Sequence, residues 1–308
     1  MSDHTVVRPK TLSWASRHLA AGERIVRADV LFGGITAEMR RLTIGSLNGA
    51  TRTMVLRSYV NVDGANDLLT REAAALTMLA ATEVTAPELV GVDPVAAECE
   101  YPSLLMTHLP GRAALEDIGV EARVPLLARE LVAIHAIQPI EQPPTYVTLT
   151  TADTVVTPPG ANAQAWSTAI DIIRRLAPSY EGRYLHRDFQ PGNVLFDGPI
   201  THLTGVVDWA APCWGPADLD VAHCATNLAV LHGSAWGLEF VTAYEAAHGA
   251  LAADPAERRY WLVRDALAFS EDIDLVSQAW RAAGRADLTT QAAERRLDAY
   301  LISLLNAS

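Results

Sequence analysis

The order of apolar runs along the chain is the feature that most constrains its fold. Short runs of strand length, separated by glycine and asparagine turns, occupy residues 1–108, whereas the pattern from residue 109 onward is mainly helical. A chain of 308 residues is also too long for one compact core. The sequence therefore predicts two domains, a strand-rich one over residues 1–108 and a mainly helical one over residues 109–308.

The strand-rich part contains one long helical segment. We expect strands near residues 25–32, 38–44, 51–60, 89–92 and 101–107. The run REAAALTMLA, which is rich in strong helix formers, predicts a helix that ends near Ala81, and Asn66 or Asp67 is a candidate for its N-cap. Beyond residue 108, helices are predicted near residues 124–137, 163–176 and from Asp218 onward, with a Pro- and Thr-rich loop at 142–160.

The acidic composition narrows the class of partner. The formal net charge of −12 argues against a nucleic-acid partner bound through its phosphates, because a duplex would be repelled. It fits a cationic small substrate, but ordinary solubility is the commoner explanation of such a charge. Cys99, Cys213 and Cys224 form no CxxC pair, which favours a reducing cytoplasm. No signal peptide and no membrane span are expected.

The segment HRDFQPGNVLF and the later GVVDW carry the strongest chemical signal. Asp188 lies just past one apolar run, Asn193 follows it across a Pro-Gly turn, and Asp208 ends the next apolar strand. Mg²⁺ prefers oxygen ligands and keeps several waters, so an asparagine, a carboxylate and phosphate oxygens suffice to bind it. Asp188 then remains available to orient and deprotonate a hydroxyl group. This joint pattern rarely arises by chance.

Two features of the strand-rich part are compatible with nucleotide binding. Gly33 and Gly34 stand between two strands, where backbone amides could approach a phosphate, although an ordinary hairpin turn is the commoner explanation of such a pair. Arg57 lies in an apolar strand, and such a cation is costly to bury without a partner. Glu72, early in the next helix, is the candidate partner, and a surface arginine is the alternative interpretation.

These motifs together resemble the aminoglycoside phosphotransferase family, the small-molecule relatives of protein kinases. FGGITAE is similar to the strand-loop-strand over the phosphates, LLMTHLPG to the hinge, HRDFQPGNVLF to the catalytic loop and VVDW to the metal segment. The resemblance spans nearly the whole chain. It implies an α+β, two-lobed protein-kinase-like fold with a small antiparallel sheet, and it implies transfer of the γ-phosphoryl group of Mg²⁺-bound ATP or GTP to a substrate hydroxyl.

The resemblance also assigns roles to individual residues. Asp188 would be the catalytic base, Asn193 and Asp208 the Mg²⁺ ligands, His186 a brace of the catalytic loop and Asp220 its tie to the following helix. The expected nucleotide-binding residues are Gly33, Gly34, Thr36, Arg57, Glu72, Met106, Thr107 and Leu109. We further expect residues 188, 193 and 208 to converge, facing the glycine pair.

Several positions depart from the family pattern. Arg57 stands where many members have lysine, Arg187 where glycine is usual, and Gln190 where a basic or imidazole side chain is common. No DFG glycine follows Asp208 and no APE-like segment follows it, so a regulated protein kinase is not expected. These changes bear on rate and substrate more than on the class of reaction.

The acceptor is the least constrained part of the prediction. Asp265, Glu271 and Asp272 lie in a helical stretch that would line the acceptor cleft and attract an amine-bearing compound, although a solvated helix face is an equal alternative. Trp209 could stack on a sugar or serve the core. An antibiotic, choline or a sugar remains open as acceptor, as do resistance or metabolism and a monomer or homodimer. A nucleotide-binding pseudokinase and a metal-dependent hydrolase are the rival classes.

Overall fold

The computed structural model describes residues 8–31, 37–148, 150–197 and 202–307. The chain divides into two compact units. The first comprises the residues up to Pro110 together with Gly205–Ala211, and the second comprises Gly111–Thr204 and Pro212–Ser308. A late segment of the sequence thus packs with the first unit, while the predicted domain boundary between residues 108 and 109 stays a prediction.

The first unit is built on a five-stranded antiparallel sheet with the order β1-β2-β3-β5-β4. Its strands are β1 (Arg24–Leu31), β2 (Glu38–Gly45), β3 (Thr51–Ser58), β4 (Leu89–Asp93) and β5 (Ser103–Thr107). Burial alternates strictly along β2, as expected for a strand with one face toward a core. The predicted α+β class with an antiparallel sheet is confirmed.

Helix α1 (Pro9–Arg17) packs on one face of this sheet. Trp14 and Ala15 of the helix join Leu42 of β2 and Met54 and Leu56 of β3 in one apolar cluster. Because successive side chains of a strand point to opposite faces, Val55 and Arg57 must point away from this cluster.

Helix α2 (Ala65–Leu79) has one buried stripe with helical spacing. Leu69, Ala73, Leu76 and Leu79 belong to this stripe, and so does Glu72. The helix begins after Gly64, whose φ of 71° places it in the left-handed region. Asn66 and Asp67 therefore lie within the first turn, and the prediction that one of them is the N-cap is wrong.

The segment Gly205–Ala211 joins the first unit through main-chain contacts. The Val206 amide donates to the Thr85 carbonyl oxygen at 2.8 Å. A Cβ on Gly205 would lie 2.8 Å from that same oxygen and 2.5 Å from Cδ1 of Leu109, so this approach requires glycine. These contacts hold the segment that contains Asp208 against the rest of the first unit.

The second unit combines two small sheets with six helices in its described residues. One sheet pairs β7 (Gly182–Leu185) with β10 (Cys213–Pro216), and the other has the order β6-β8-β9. The strands of that sheet are β6 (Arg112–Ala113), β8 (Val194–Asp197) and β9 (His202–Val206), of which residues 202–204 belong to the second unit. The helices are α3 (Val120–His135), α4 (Ala163–Ile173), α5 (Ala217–His232), α6 (Ser234–Ala246), α7 (Pro255–Ala282) and α8 (Thr290–Asn306).

Helix α5 is the centre of the second unit. It packs against α3, α6, α7 and α8. Its residues from Ala217 to Leu231 are buried with the exception of His223, which is half-buried. A helix that is covered on all sides is a core helix. The lower burial of His223 therefore marks the place where α5 borders an accessible site.

Across the ranges that the structure covers, none of the helices combines the length and the apolar character that crossing a bilayer requires.

We predict that Leu42→Ala destabilises the chain strongly, because Leu42 is completely buried in the cluster under the sheet. The expected loss in the free energy of unfolding is about 2–5 kcal/mol. The matched control is Leu47→Ala, since Leu47 is 91% exposed, and it should change that free energy by less than about 0.5 kcal/mol. Denaturant unfolding measures both, and equal losses would contradict the core assignment.

Candidate active site

The loop between β7 and β8 is shaped by one buried carboxylate. Asp220, in the first turn of α5, is completely buried. Its Oδ2 accepts from the His186 amide at 2.8 Å and its Oδ1 accepts from the Arg187 amide at 2.9 Å. Nε2 of His135 on α3 lies 3.3 Å from Oδ2. Burial works to raise the pKa of Asp220, but the hydrogen bond and charge of His135 outweigh it and lower the pKa.

The main chain next to this carboxylate is strained. Arg187 has a φ of 72°, an unusual conformation for a residue with a Cβ, and its amide is held by Asp220. His186 is fully buried, and its Nδ1 accepts from the Asp188 amide at 3.2 Å. The ring of His186 also packs edge-on against Phe189. These contacts set the direction in which Asp188 leaves the loop.

The side chain of Asp188 is held on both oxygens. Oδ2 accepts from Nδ2 of Asn193 at 2.8 Å, and the same amide nitrogen donates to the Asp188 carbonyl at 2.9 Å. Oδ1 accepts from Nε2 of Gln190 at 3.4 Å and lies 3.1 Å from Nε2 of His223. The carboxylate nevertheless stays 39% exposed, so it is both oriented and accessible.

His223 connects Asp188 to Asp265. Nδ1 of His223 lies 3.2 Å from Oδ1 of Asp265, which is 4% exposed on α7. Burial lowers the pKa of His223, but the charges of and hydrogen bonds to the two aspartates outweigh it and raise the pKa to about 10. Burial likewise works to raise the pKa of Asp188, yet His223 lowers it below its ordinary value.

The first unit contains a second charged cluster around Arg57. Nη1 of Arg57 donates to both carboxylate oxygens of Glu72, at 2.9 and 3.0 Å, and to Oδ1 of Asp208 at 2.9 Å. Arg57 and Glu72 are buried, whereas the side chain of Asp208 is 37% exposed. Burial works to lower the pKa of Arg57, but the two carboxylates raise it, so the guanidinium stays charged.

The predicted hinge residues lie at the end of β5. Met106 is buried between Val55 and Leu89 in the sheet. The Thr107 amide donates to the Glu88 carbonyl at 2.9 Å, so of its two main-chain groups only the carbonyl could meet an adenine edge. Leu109 is half-buried. The three predicted phosphate-loop residues lie outside the described residues: Gly33, Gly34 and Thr36.

Of the four residues predicted to contact the acceptor, two are exposed and two are buried. Glu271 and Asp272 are exposed on α7, and Oε1 of Glu271 accepts from Thr154 at 3.3 Å. Asp265, by contrast, is buried against His223. Trp209 is completely buried and its indole N–H donates to the Val206 carbonyl at 2.9 Å. Stacking of Trp209 on an acceptor is therefore not supported, since its ring surface is covered.

The donor groups of the predicted metal ligands suit Mg²⁺. The amide nitrogen of Asn193 is committed to Asp188, which leaves its carbonyl oxygen for a cation. Around Asp208 one guanidinium faces two carboxylates, and burial raises the pKa of the inner one, Glu72, to about 7. Asp208 also has a φ of 68°, which marks a constrained main chain at this position. The convergence of Asp208 with Asp188 and Asn193 stays a prediction.

Two histidines of the site escaped the sequence-based prediction. His135 contacts Asp220 from α3, and a single histidine in an amphipathic helix carries no local signal. His223 did have one, because it follows Asp220 by three residues and so lies on the same helix face. The Asp-x-x-His spacing beside the catalytic loop could have identified it.

Comparisons with known proteins identify the family and the fold of the chain. A family model described as "Phosphotransferase enzyme family" matches residues 41–261, and no curated protein matches the chain. A Ralstonia eutropha JMP134 protein assigned as an aminoglycoside phosphotransferase is similar in structure, with a TM-score of 0.64, 14% identity and coverage of 97% of this chain and 98% of that one.

Two further structures have related folds. Aminoglycoside phosphotransferase APH(4)-Ia, in a ternary complex with ADP and hygromycin B, has a TM-score of 0.60 and 18% identity, with 92% of this chain and 96% of that one covered. Macrolide 2′-phosphotransferase type I has a TM-score of 0.59 and 18% identity, with 91% and 96% covered. The chain has the kinase-like fold of these enzymes, and it belongs to the phosphotransferase enzyme family.

Proposed function

We propose that this phosphotransferase moves the γ-phosphoryl group of Mg²⁺-bound ATP or GTP to a hydroxyl group of a small molecule. The observation that carries the proposal is the state of Asp188, which is oriented on both oxygens yet remains 39% exposed. A carboxylate that is fixed but accessible is what a hydroxyl acceptor requires for alignment with a phosphoryl group.

Asp188 would accept the proton of the acceptor hydroxyl. The hydroxyl oxygen forms a new bond to the γ-phosphorus while the bond from that phosphorus to the β,γ-bridging oxygen breaks. The nucleoside diphosphate leaves with the electron pair, and the proton passes from the hydroxyl to Asp188 and then to water. The buried carboxylate of Asp220 supports this role, because it accepts from the amides of His186 and Arg187 and so fixes the main chain just before Asp188.

Asn193 and Asp208 would hold the Mg²⁺ ion, which neutralises charge on the phosphate oxygens when it is bound. Arg57 would meet the α- and β-phosphates, with Glu72 fixing its position. The hinge carbonyl of Thr107 and the main chain of Leu109 would contact the base, with Met106 packing beside it. The same set of contacts accepts adenine or guanine, because main-chain groups supply it.

The acceptor class is proposed to be a cationic, hydroxylated compound such as an aminoglycoside or another antibiotic. The exposed Glu271 and Asp272 support an amine-bearing acceptor, as does the net charge of −12. Relatives of similar fold bind hygromycin B together with ADP or are named for macrolides. Choline and sugars belong in the same test, because one fold serves many acceptors.

Replacing the base should abolish turnover and spare nucleotide binding. We predict that Asp188→Asn lowers kcat by about 10²–10⁴-fold. The affinity for Mg-ATP should change by less than about threefold, because Asp188 is not a nucleotide ligand. Acceptor-dependent release of ADP across a panel of aminoglycosides, macrolides, choline and sugars measures turnover, and calorimetry measures affinity. The matched control is Asp197→Asn, which alters an exposed carboxylate at the end of β8.

Each rival class gives a different result in this panel. A pseudokinase binds nucleotide but releases no ADP with any acceptor. A metal-dependent hydrolase releases phosphate from a substrate without nucleotide. Near-normal turnover of Asp188→Asn would overturn the assignment of the base.

The metal ligands should be separable from the base by their dependence on Mg²⁺. We predict that Asp208→Asn raises the free Mg²⁺ concentration for half-maximal turnover by at least about tenfold, or about 1.4 kcal/mol. Asn193→Ala should shift the same midpoint in the same direction. The exposed Asp63→Asn is the control and should leave the midpoint unchanged. A lower maximal rate at an unaltered midpoint would contradict the role of Asp208 as a ligand.

A further inference from the structure

In the described part of the second unit, His223 is the one histidine whose two ring nitrogens each contact a carboxylate. Nε2 lies 3.1 Å from Oδ1 of Asp188, and Nδ1 lies 3.2 Å from Oδ1 of Asp265. An ionised carboxylate accepts hydrogen bonds and donates none. Each ring nitrogen must therefore carry a hydrogen, which describes an imidazolium ion rather than a neutral ring.

The neighbouring amide does not favour a neutral ring. Nδ2 of Asn227 lies 3.3 Å from Nε2 of His223, and it could donate to an unprotonated nitrogen. The same amide nitrogen donates one of its two hydrogens to the main-chain carbonyl of His223 at 2.9 Å, so this contact by itself does not set the charge of the ring. A neutral Nε2 would also point its lone pair at the carboxylate of Asp188. The protonated ring removes that repulsion.

Asp265 has its own need for a cation. Its side chain is 4% exposed, and its Oδ2 has no hydrogen-bond partner among the described residues. A buried carboxylate without a positive neighbour is strongly unfavourable. The adjacent Arg264 does not help, because its guanidinium bonds to Tyr260 and to the Thr150 carbonyl. His223 is the cation with which Asp265 forms an ion pair.

We propose that His223 is a positioning residue for the phosphoryl transfer: anchored by Asp265, its protonated ring fixes the rotation of the Asp188 carboxylate toward the acceptor hydroxyl. This role rests on the proposed function. It also assigns Asp265 to the support of Asp188 rather than to direct contact with an acceptor. Because both ring nitrogens already carry hydrogens, the proton that Asp188 takes from the hydroxyl leaves to water and does not pass along the ring.

The groups around His223 keep its ring protonated between Asp188 and Asp265 over a wide pH range. Asp188 faces the ring from the catalytic loop and Asp265 faces it from α7. Other titratable groups that interact with these two carboxylates are His186, near Asp188, and Cys224 and Tyr300, near Asp265. Burial raises the pKa of the Cys224 thiol and of the Tyr300 hydroxyl, so both stay neutral at physiological pH.

The protonation of His223 has a defined effect on stability. Its pKa is about 10 in the folded chain against 6.5 for an ordinary histidine. Because the pKa is raised, protonated His223 contributes its full share to the free energy of unfolding below pH 6.5. This contribution declines above pH 6.5 and is lost as the pH rises through about 10. The stability difference between the wild type and His223→Asn should therefore shrink over that interval, as measured by denaturant unfolding.

The direct test is the ¹⁵N spectrum of the histidine rings in the wild-type chain. Both nitrogens of His223 should show imidazolium shifts at pH 8 and titrate near pH 10. In Asp265→Asn the midpoint should fall by at least about one pKa unit, because the main attracting charge is gone. His232 is an internal control on the same helix: it contacts Asp117, yet burial lowers its pKa to about 4, so it should be neutral at pH 8. A neutral His223 at pH 8 overturns the proposal.

A kinetic cycle tests the positioning role itself. His223→Asn and Asp265→Asn should each lower kcat by at least about tenfold, because a small misplacement of Asp188 is costly. The KM for Mg-ATP should stay within about twofold. The double variant should be no slower than His223→Asn alone if Asp265 acts through the ring. His232→Asn is the matched control for replacing a buried histidine on α5 and should keep the wild-type kcat.

The two proposals fail in different ways. A wild-type chain that binds nucleotide but transfers no phosphoryl group overturns the proposed function and the role of His223 with it. An active wild type whose His223 is neutral, or whose His223→Asn variant keeps full kcat, overturns the role of His223 and leaves the proposed function intact.

Discussion

The candidate site depends above all on the buried carboxylate of Asp220. It accepts two consecutive main-chain amides, those of His186 and Arg187, and it contacts His135. Without such an acceptor, two amides next to a strained left-handed residue would have to find partners in water. The loop would then lose the conformation that directs Asp188 out of the core. The chemistry of the site therefore begins with a group that touches no substrate.

The same electrostatic design occurs in both units. A deeply buried carboxylate holds a cation, and that cation holds a second carboxylate that stays more than one third exposed. In the first unit, Glu72 is the buried anchor, Arg57 the cation and Asp208 the outer carboxylate. In the second unit, Asp265 is the anchor, His223 the cation and Asp188 the outer carboxylate. The anchor offsets the cost of burying the cation, and the cation orients the outer carboxylate.

The sequence predicted those parts of the structure that follow from local rules. Strand and helix patterns give the fold class, and the cost of burying Arg57 without a partner identified Glu72. The parts that were missed depend on contacts between distant segments. The pairing of Asp265 with His223 is set by how α5 and α7 pack, and periodicity alone cannot show which side of a helix is covered. Trp209 lies in an irregular segment after β9, where no periodic pattern indicates burial. The α2 cap was missed because Gly64 uses backbone conformation rather than a side chain.

The proposed reaction moves a phosphoryl group from a nucleotide to a hydroxyl oxygen. ³¹P nuclear magnetic resonance on the wild-type chain, with Mg-ATP and the acceptor that stimulates release of ADP, observes this directly. A new phosphomonoester signal should grow in step with ADP while the signal of inorganic phosphate stays flat. Growth of inorganic phosphate alone, with no phosphomonoester of the acceptor, would contradict the proposed function.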